Sequence, residues 1–414
     1  MKHMVFYRPF FLVTVFIISS CSILNAQQLS FDSDMVNEAN SSRGLGQFNL
    51  DVLSNHNALI QWVQDYNESS KLLTKVYFLS NFIFPYHIGS LLNLSFHEFG
   101  HGSRAIATGH NASYRIAYSF TNNQFGPDLM GYYDLFFAIL LNPTIAGAQT
   151  RYTGSKFSHL TEKNSFYDAL ISSNGVNMET YFSALISDQN HDREQGFIFD
   201  YFTYSSAKLA VYKYAVAEEL GVFGDTGSDL TAVQQFYNTQ YNVTISHADF
   251  KRYNLFSYLL SAQTWFYLMA MTDYLFDDKL YFNQLNYYGF RLPEVDFYLN
   301  MQGPSYQIRS EYRLNESLSI PFAFEYVFLG DRQTETTIGF VRSWSSFTTK
   351  SMLRFGTHMT RTFELMYRFQ PKWQFNVGYN SYSARNLFGA RHMPSFSDSS
   401  LKSDAFFIGT TVLF

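Results

Sequence analysis

The chain has 414 residues, a formal net charge of −5 and no long basic run, which excludes the electrostatic signature of a nucleic-acid partner. Its single cysteine, Cys21, excludes a disulfide framework and any thiolate cluster. Aromatic residues reach 19% while charged residues stop at 15%, the balance of a membrane β-barrel or an aromatic-rich envelope protein.

At the N-terminus, Lys2, His3 and Arg8 precede an apolar run from Phe10 to Leu24 that ends at Ala26. This is the pattern of a secretory signal peptide spanning residues 1–26, and it predicts an exported protein. A lipoprotein processing box competes for the same segment, because Ile18-Ser19-Ser20-Cys21 would place a lipid on Cys21. The residues after Cys21 remain apolar, which favours ordinary cleavage after Ala26. Residues 27–56 follow as a polar lead-in, rich in Ser, Asn and Gln at its start.

Residues 57–290 carry helical periodicity at 57–80, 88–108, 130–150, 176–188, 203–220 and 254–276. Val76 to Phe96 and Tyr253 to Tyr274 are apolar enough to be weighed as membrane spans. Asn81, Pro85, Asn93 and Ser95 dilute the first, so both are expected as buried helices of a globular or membrane-apposed domain. Within 88–108 stands Phe96-His97-Glu98-Phe99-Gly100-His101, an HExxH motif. Positions i and i+4 stack on one helix face, so two imidazoles can share one metal ion while Glu98 polarises water beside it. Two surface histidines beside a glutamate are the bland alternative. Leu91, Leu92, Leu94, Phe96 and Phe99 favour the metal helix, because they give it an apolar surface at helical spacing. Gly100 and Gly102 cost helix propensity and imply close backbone approach, and Gly109 is a natural stop before the alternating run 112–118.

A metal helix leading into a strand resembles the zincin metallopeptidases, and Phe99, Gly100 and Gly109 look like the site-2-protease branch. The resemblance covers about 25 residues. The metzincin subclass is excluded, since Arg104 and Ala107 stand where it needs Gly and His. A site-2 protease holds its motif in inner-membrane spans, which would stall a chain bound for the outer membrane, so that analogy is incomplete. The resemblance implies Zn2+ on His97 and His101, with Glu98 as general base. A third ligand is needed. Glu179 is the first candidate, on a second helix started by Asn174-Gly175 as in the gluzincin plan. Asp168, Glu162, His110 and Asp128 are alternatives, and Asp188 is a candidate partner for an imidazole. Arg104 could steady a substrate carboxylate or pair with a local acid.

Residues 291–414 change period. Two-residue alternation recurs in about eight runs, near 295–301, 306–314, 320–328, 335–344, 350–359, 362–369, 373–382 and 404–414. Strands of that length with one apolar face, and a chain ending in Phe414, resemble bacterial outer-membrane barrels. A soluble antiparallel sandwich is the alternative. Arg309, Glu311, Arg313, Glu325, Arg354, Glu364 and Arg368 are the inward candidates of a filled lumen. The expected fold is α+β, a mostly helical zincin-like domain followed by an antiparallel β-barrel of about eight strands. The expected function is a zinc metallopeptidase of the envelope, acting on a polypeptide, membrane-anchored, with its helical domain in the periplasm. The competing class is a non-catalytic outer-membrane barrel with a partner-binding helical domain.

Overall fold

Near residue 290 the apolar period falls from that of a helix to that of a strand, and the architecture changes with it. The structure is a computed structural model describing residues 28–32, 42–82, 88–116, 124–125, 135–136, 138–139, 148–153, 164–222, 229–394, 396 and 401–413. The signal-peptide region, Cys21, Asp128 and Glu162 lie outside the described residues.

Short strand β1 (Gln28–Asp32) comes first, then helices α1 (Ser42–Tyr66), α2 (Glu68–Ser80) and α3 (Ile88–Ala107). A small sheet of β2 (Asn111–Ile116), β3 (Gln124–Phe125) and β4 (Ala148–Thr153) follows, in the order β3-β2-β4. Next come α4 (Asn164–Asp192), β5 (Gln195–Phe197), α5 (Ile198–Lys208), α6 (Ala210–Glu219), α7 (Asp229–Gln240), α8 (His247–Leu260) and α9 (Ala262–Asp277). Local chemistry sets several ends. Asn67 caps α2 through Ser70 N–H, Ser246 and Asp249 form a capping box on α8, and Asp278 takes the left-handed conformation after α9. No helix among the described residues is long and apolar enough to cross a membrane.

Three pieces, β6 (Tyr281–Asn283), β7 (Asn286–Tyr287) and β8 (Phe290–Arg291), lead into the long strands. These are β9 (Glu294–Asn300), β10 (Gly303–Asn315), β11 (Leu318–Val327), β12 (Thr334–Trp344), β13 (Phe347–Phe355), β14 (Met359–Gln370), β15 (Trp373–Ser383) and β16 (Lys402–Leu413), with α10 (Leu387–His392) between the last two. All eight alternating runs are therefore strands. They belong to an 11-stranded antiparallel sheet ordered β1-β16-β15-β14-β13-β12-β11-β10-β8-β7, with β9 also on β10.

The closed barrel expected from the sequence is not formed. The far edge of β16 is taken by β1, and the far edge of β10 by β9 and β8, so the described strands leave the sheet open. Side chains of α1, of α4 and of the α8–α9 joint satisfy backbone groups on β1 and β9. Ser30 N–H donates to Asp51 Oδ2 (2.6 Å), and Asn55 Nδ2 donates to Gln28 O (3.4 Å), which ties β1 to α1. On β9, Asn177 of α4 accepts from Leu299 N–H and donates to Leu299 O, both at 2.9 Å. Ser261 does the same for Val295, at 3.1 and 3.0 Å. Such pairing removes the exposed ladder that an open sheet otherwise presents. The described parts of the polar segment 27–56, expected as a loose lead-in, are β1 and the first half of a largely buried helix, both tied to the sheet in this way.

The inner face of the sheet is filled by helices, not by its own side chains meeting across a lumen. Arg43 of α1 bonds Glu364 (3.0 Å), Arg391 of α10 grips Glu325 with two bonds (2.6 and 2.9 Å), and Arg309 reaches Asp188 of α4 (2.6 Å). Pairing of this kind offsets the cost of burying these charges. Asp188 is thus committed to the sheet arginines. The outer face carries Phe322, Phe324, Ile338, Phe340, Phe363 and Phe375, all exposed.

Candidate metal centre

Helix α3 is buried along nearly its whole length from Phe96 to Ala105. Phe96 and Phe99 stack at 5.6 Å and pack with Leu45, Phe48 and Phe182, each ring worth about 1.5–3 kcal/mol of burial. The face that bears His97 and His101 turns to α4. There, two glycines set the crossing. A Cβ on Gly100 would run into the carbonyl oxygen of Asn174. A Cβ on Gly175 would lie 2.6 Å from His97 Nε2 and nearer still to His101 Nε2. Asn174-Gly175 lies in the middle of α4, not at a helix start, and the glycine serves close approach.

Each imidazole is held through Nδ1. His97 Nδ1 donates to Glu179 Oε1 (2.9 Å), and His101 Nδ1 donates to the Ile171 carbonyl (2.7 Å). A carbonyl only accepts, so the His101 proton sits on Nδ1 and its Nε2 is left for another partner. The two Nε2 atoms are 2.9 Å apart. Asp229 Oδ2, from the first turn of α7, lies 3.4 Å from His97 Nε2 and 3.1 Å from His101 Nε2. These three atoms are the metal-ligand-like group among the described residues. Ligands about 2.0–2.1 Å from a tetrahedral zinc stand about 3.3–3.4 Å apart, so a modest opening of the triangle admits the ion. Two nitrogens and a carboxylate converging on the space that Gly175 leaves fit such a cation.

Glu179 does not join that triangle. It stands behind His97, on the opposite ring nitrogen, with Lys213 Nζ 3.4 Å from its other oxygen. The Tyr214 ring lies flat on His97, 4.4 Å between centroids. Asp168 is exposed and accepts from Tyr152, and His110 meets Thr108, so neither reaches the cluster. Arg104 has no acidic partner among the described residues. It donates to Ala390 O (3.1 Å) and lies over Phe396, which docks α3 on the α10 segment. Asp229 is the ligand candidate that the sequence reading missed, although Ser228-Asp229 ahead of Leu230, Val233, Phe236 and Tyr237 is a readable helix start.

Glu98 is buried beside the cluster, and Thr150 of β4 donates to its Oε2 (2.7 Å). Burial pushes the Glu98 carboxyl up; the two imidazoles and Thr150 only partly offset this. For His97, burial acts to lower the pKa, but the hydrogen bonds and charges of Asp229 and Glu179 overcome it and raise it. His101 is raised likewise, its burial outweighed by Asp229.

No family model matches the chain, nor does any curated protein or solved structure, so the functional reading rests on the His97, His101 and Asp229 geometry.

Proposed function

We propose that the chain is a zinc-dependent metallopeptidase of the bacterial envelope, held in the outer membrane by the apolar outer face of its sheet. The observation that carries the reading is the convergence of His97 Nε2, His101 Nε2 and Asp229 Oδ2 on the space left by Gly175. His97, His101 and Asp229 would hold the ion, with Glu179 and Ile171 O orienting the imidazoles. Zinc supplies Lewis acidity to an attacking water and to the scissile carbonyl. Glu98 is the general base. Its raised proton affinity suits a group that must take a proton from water and pass it to the leaving amine. Thr150 holds one carboxylate oxygen of Glu98 and leaves the other free for that transfer. The apolar N-terminal run supports export in this reading, and the HExxH resemblance supports a polypeptide substrate.

The decisive measurement is zinc content of detergent-purified protein beside peptidase activity. Wild type should carry roughly one zinc per chain and His97→Ala none. Glu98→Gln should keep the metal and lose activity on the order of 10²–10⁴-fold. Zinc in the wild type with Glu98→Gln fully active would remove Glu98 as the base, and a zinc-loaded wild type without peptidase activity would reject the enzyme. No zinc after chelator-free purification would leave the histidines structural and favour a partner-binding role for the helical region.

A further inference from the structure

Three surface helices carry an apolar outer face like that of the sheet. Helix α8 buries Phe250 beside Asn254 and Ser257 and exposes Leu255, Phe256, Leu259 and Leu260. Helix α2 buries only Thr74 and Phe78, while Leu72, Leu73, Val76 and Leu79 face out. Helix α9 exposes Trp265, Leu268, Met269 and Phe276. A water-facing helix shows the opposite arrangement.

These faces join end to end. Helix α2 meets α9 where Lys75 Nζ donates to Leu275 O (3.0 Å) and the Phe78 and Tyr274 rings touch at 5.3 Å. Helix α9 follows α8 through Ser261, and Phe256 of α8 packs on Tyr306 of β10 at 5.9 Å. From β10 the outer face of the sheet runs to β16, and α1, packed on α2, exposes Leu59 and Trp62. The apolar surface therefore passes from several helices onto the whole sheet and is not a single patch. A protein partner or a second copy covers one patch, whereas a surface this extended is covered by a solvent of matching chemistry. Here that solvent is lipid hydrocarbon. The backbone groups satisfied by side chains on β1 and β9 fit the same setting, because unpaired strand edges are not tolerated in hydrocarbon.

We propose that α2, α8, α9 and the sheet form one lipid-facing wall, which places His97, His101 and Asp229 inside the membrane-embedded body and not in a domain suspended beside it. The proposal rests on the reading of the sheet as a membrane anchor and extends it to the helices. Helices of 13, 14 and 16 residues span about 20–24 Å, so each covers part of the hydrocarbon depth against the protein behind it.

The chain's four tryptophans make the test. Trp62 of α1 and Trp265 of α9 are 51% and 53% exposed, and Trp344 and Trp373 at one rim of the sheet are 44% and 39% exposed. Four single-tryptophan proteins, the others changed to Phe, are reconstituted into phosphatidylcholine vesicles with bromine on the acyl chains, and quenching is read for each. Quenching of Trp265, Trp344 and Trp373 together supports the proposal, and Trp62 reports whether α1 joins the wall. Quenching of Trp344 and Trp373 alone overturns it and leaves the sheet as the anchor. Quenching of none removes the membrane reading itself, and a doubled mass by sedimentation would then assign the apolar faces to a second copy. Quenching confined to Trp62 and Trp265 overturns the common wall. Photolabelling of the unsubstituted chain by an acyl-chain diazirine lipid guards against misfolded variants: labelled peptides from 68–80 and 247–277 support the wall, and labels confined to 318–377 overturn it.

Discussion

At the scale of single residues, the site is defined by which nitrogen of each histidine is committed. Nδ1 of His97 is held by Glu179, so Glu179 and Asp229 should separate cleanly on mutation. Asp229→Ala is expected to lose bound zinc, whereas Glu179→Gln should retain it with affinity reduced about 10–100-fold. Competitive titration with a chromophoric chelator reads both; a larger loss from Glu179→Gln than from Asp229→Ala would make Glu179 the ligand. The raised imidazole pKa values set the pH dependence. At neutral pH the zinc-free cluster holds a proton on His97, whose pKa is raised to about 10, and zinc must displace it. Zinc affinity should therefore rise with pH across neutrality, with proton release on binding. Calorimetry in buffers of different ionisation enthalpy checks this, and binding without proton release would mean that the imidazoles are neutral beforehand.

At the scale of elements, the decisive joints are where a helix meets a strand edge. Asn177 completes the ladder of β9 at Leu299 as a neighbouring strand would, and both its bonds are buried. Asn177→Ala orphans a backbone N–H and C=O together. The expected cost is about 1–3 kcal/mol for each group left unsatisfied, read from unfolding of the detergent-solubilised protein. An unchanged unfolding midpoint would mean that another group seals that edge. Because α4 also carries Gly175 and Glu179, the same joint holds the centre in register with the sheet.

At the scale of the whole molecule, polarity is turned inside out around the sheet. Glu325, Arg354 and Glu364 are buried against helices, while Phe322, Phe324 and Phe340 face outward. On β11, Phe324 alternates with Glu325, so the two faces are one residue apart. If the outer face meets hydrocarbon, Phe324→Lys should destabilise the protein in vesicles by about 2–4 kcal/mol, the cost of a cation near the bilayer midplane. The same substitution should cost much less if that face meets water. Equal stability of the variant and wild type in vesicles would remove lipid from the outer face.

Much of this was local and therefore legible in the chain. The His97–His101 spacing puts both rings on one helix face whatever the surroundings, and two-residue alternation marks the strands from Val295 to Leu413 because the pleat has a period of two. Three things were decided only in the tertiary structure. Asp229 follows His101 by more than a hundred residues, and no local pattern says that α7 will bring its first turn to α3. Glu179 has the right residue type on the right helix, yet helix rotation presents it to Nδ1 and gives Nε2 to Asp229. Closure was the third. Alternation determines which face of a strand is apolar but not what its edge pairs with, and here β1, Asn177 and Ser261 take the edges that strand-to-strand closure would have used. Period and face are properties of neighbouring residues, whereas ligand sets and sheet edges depend on contacts between distant ones.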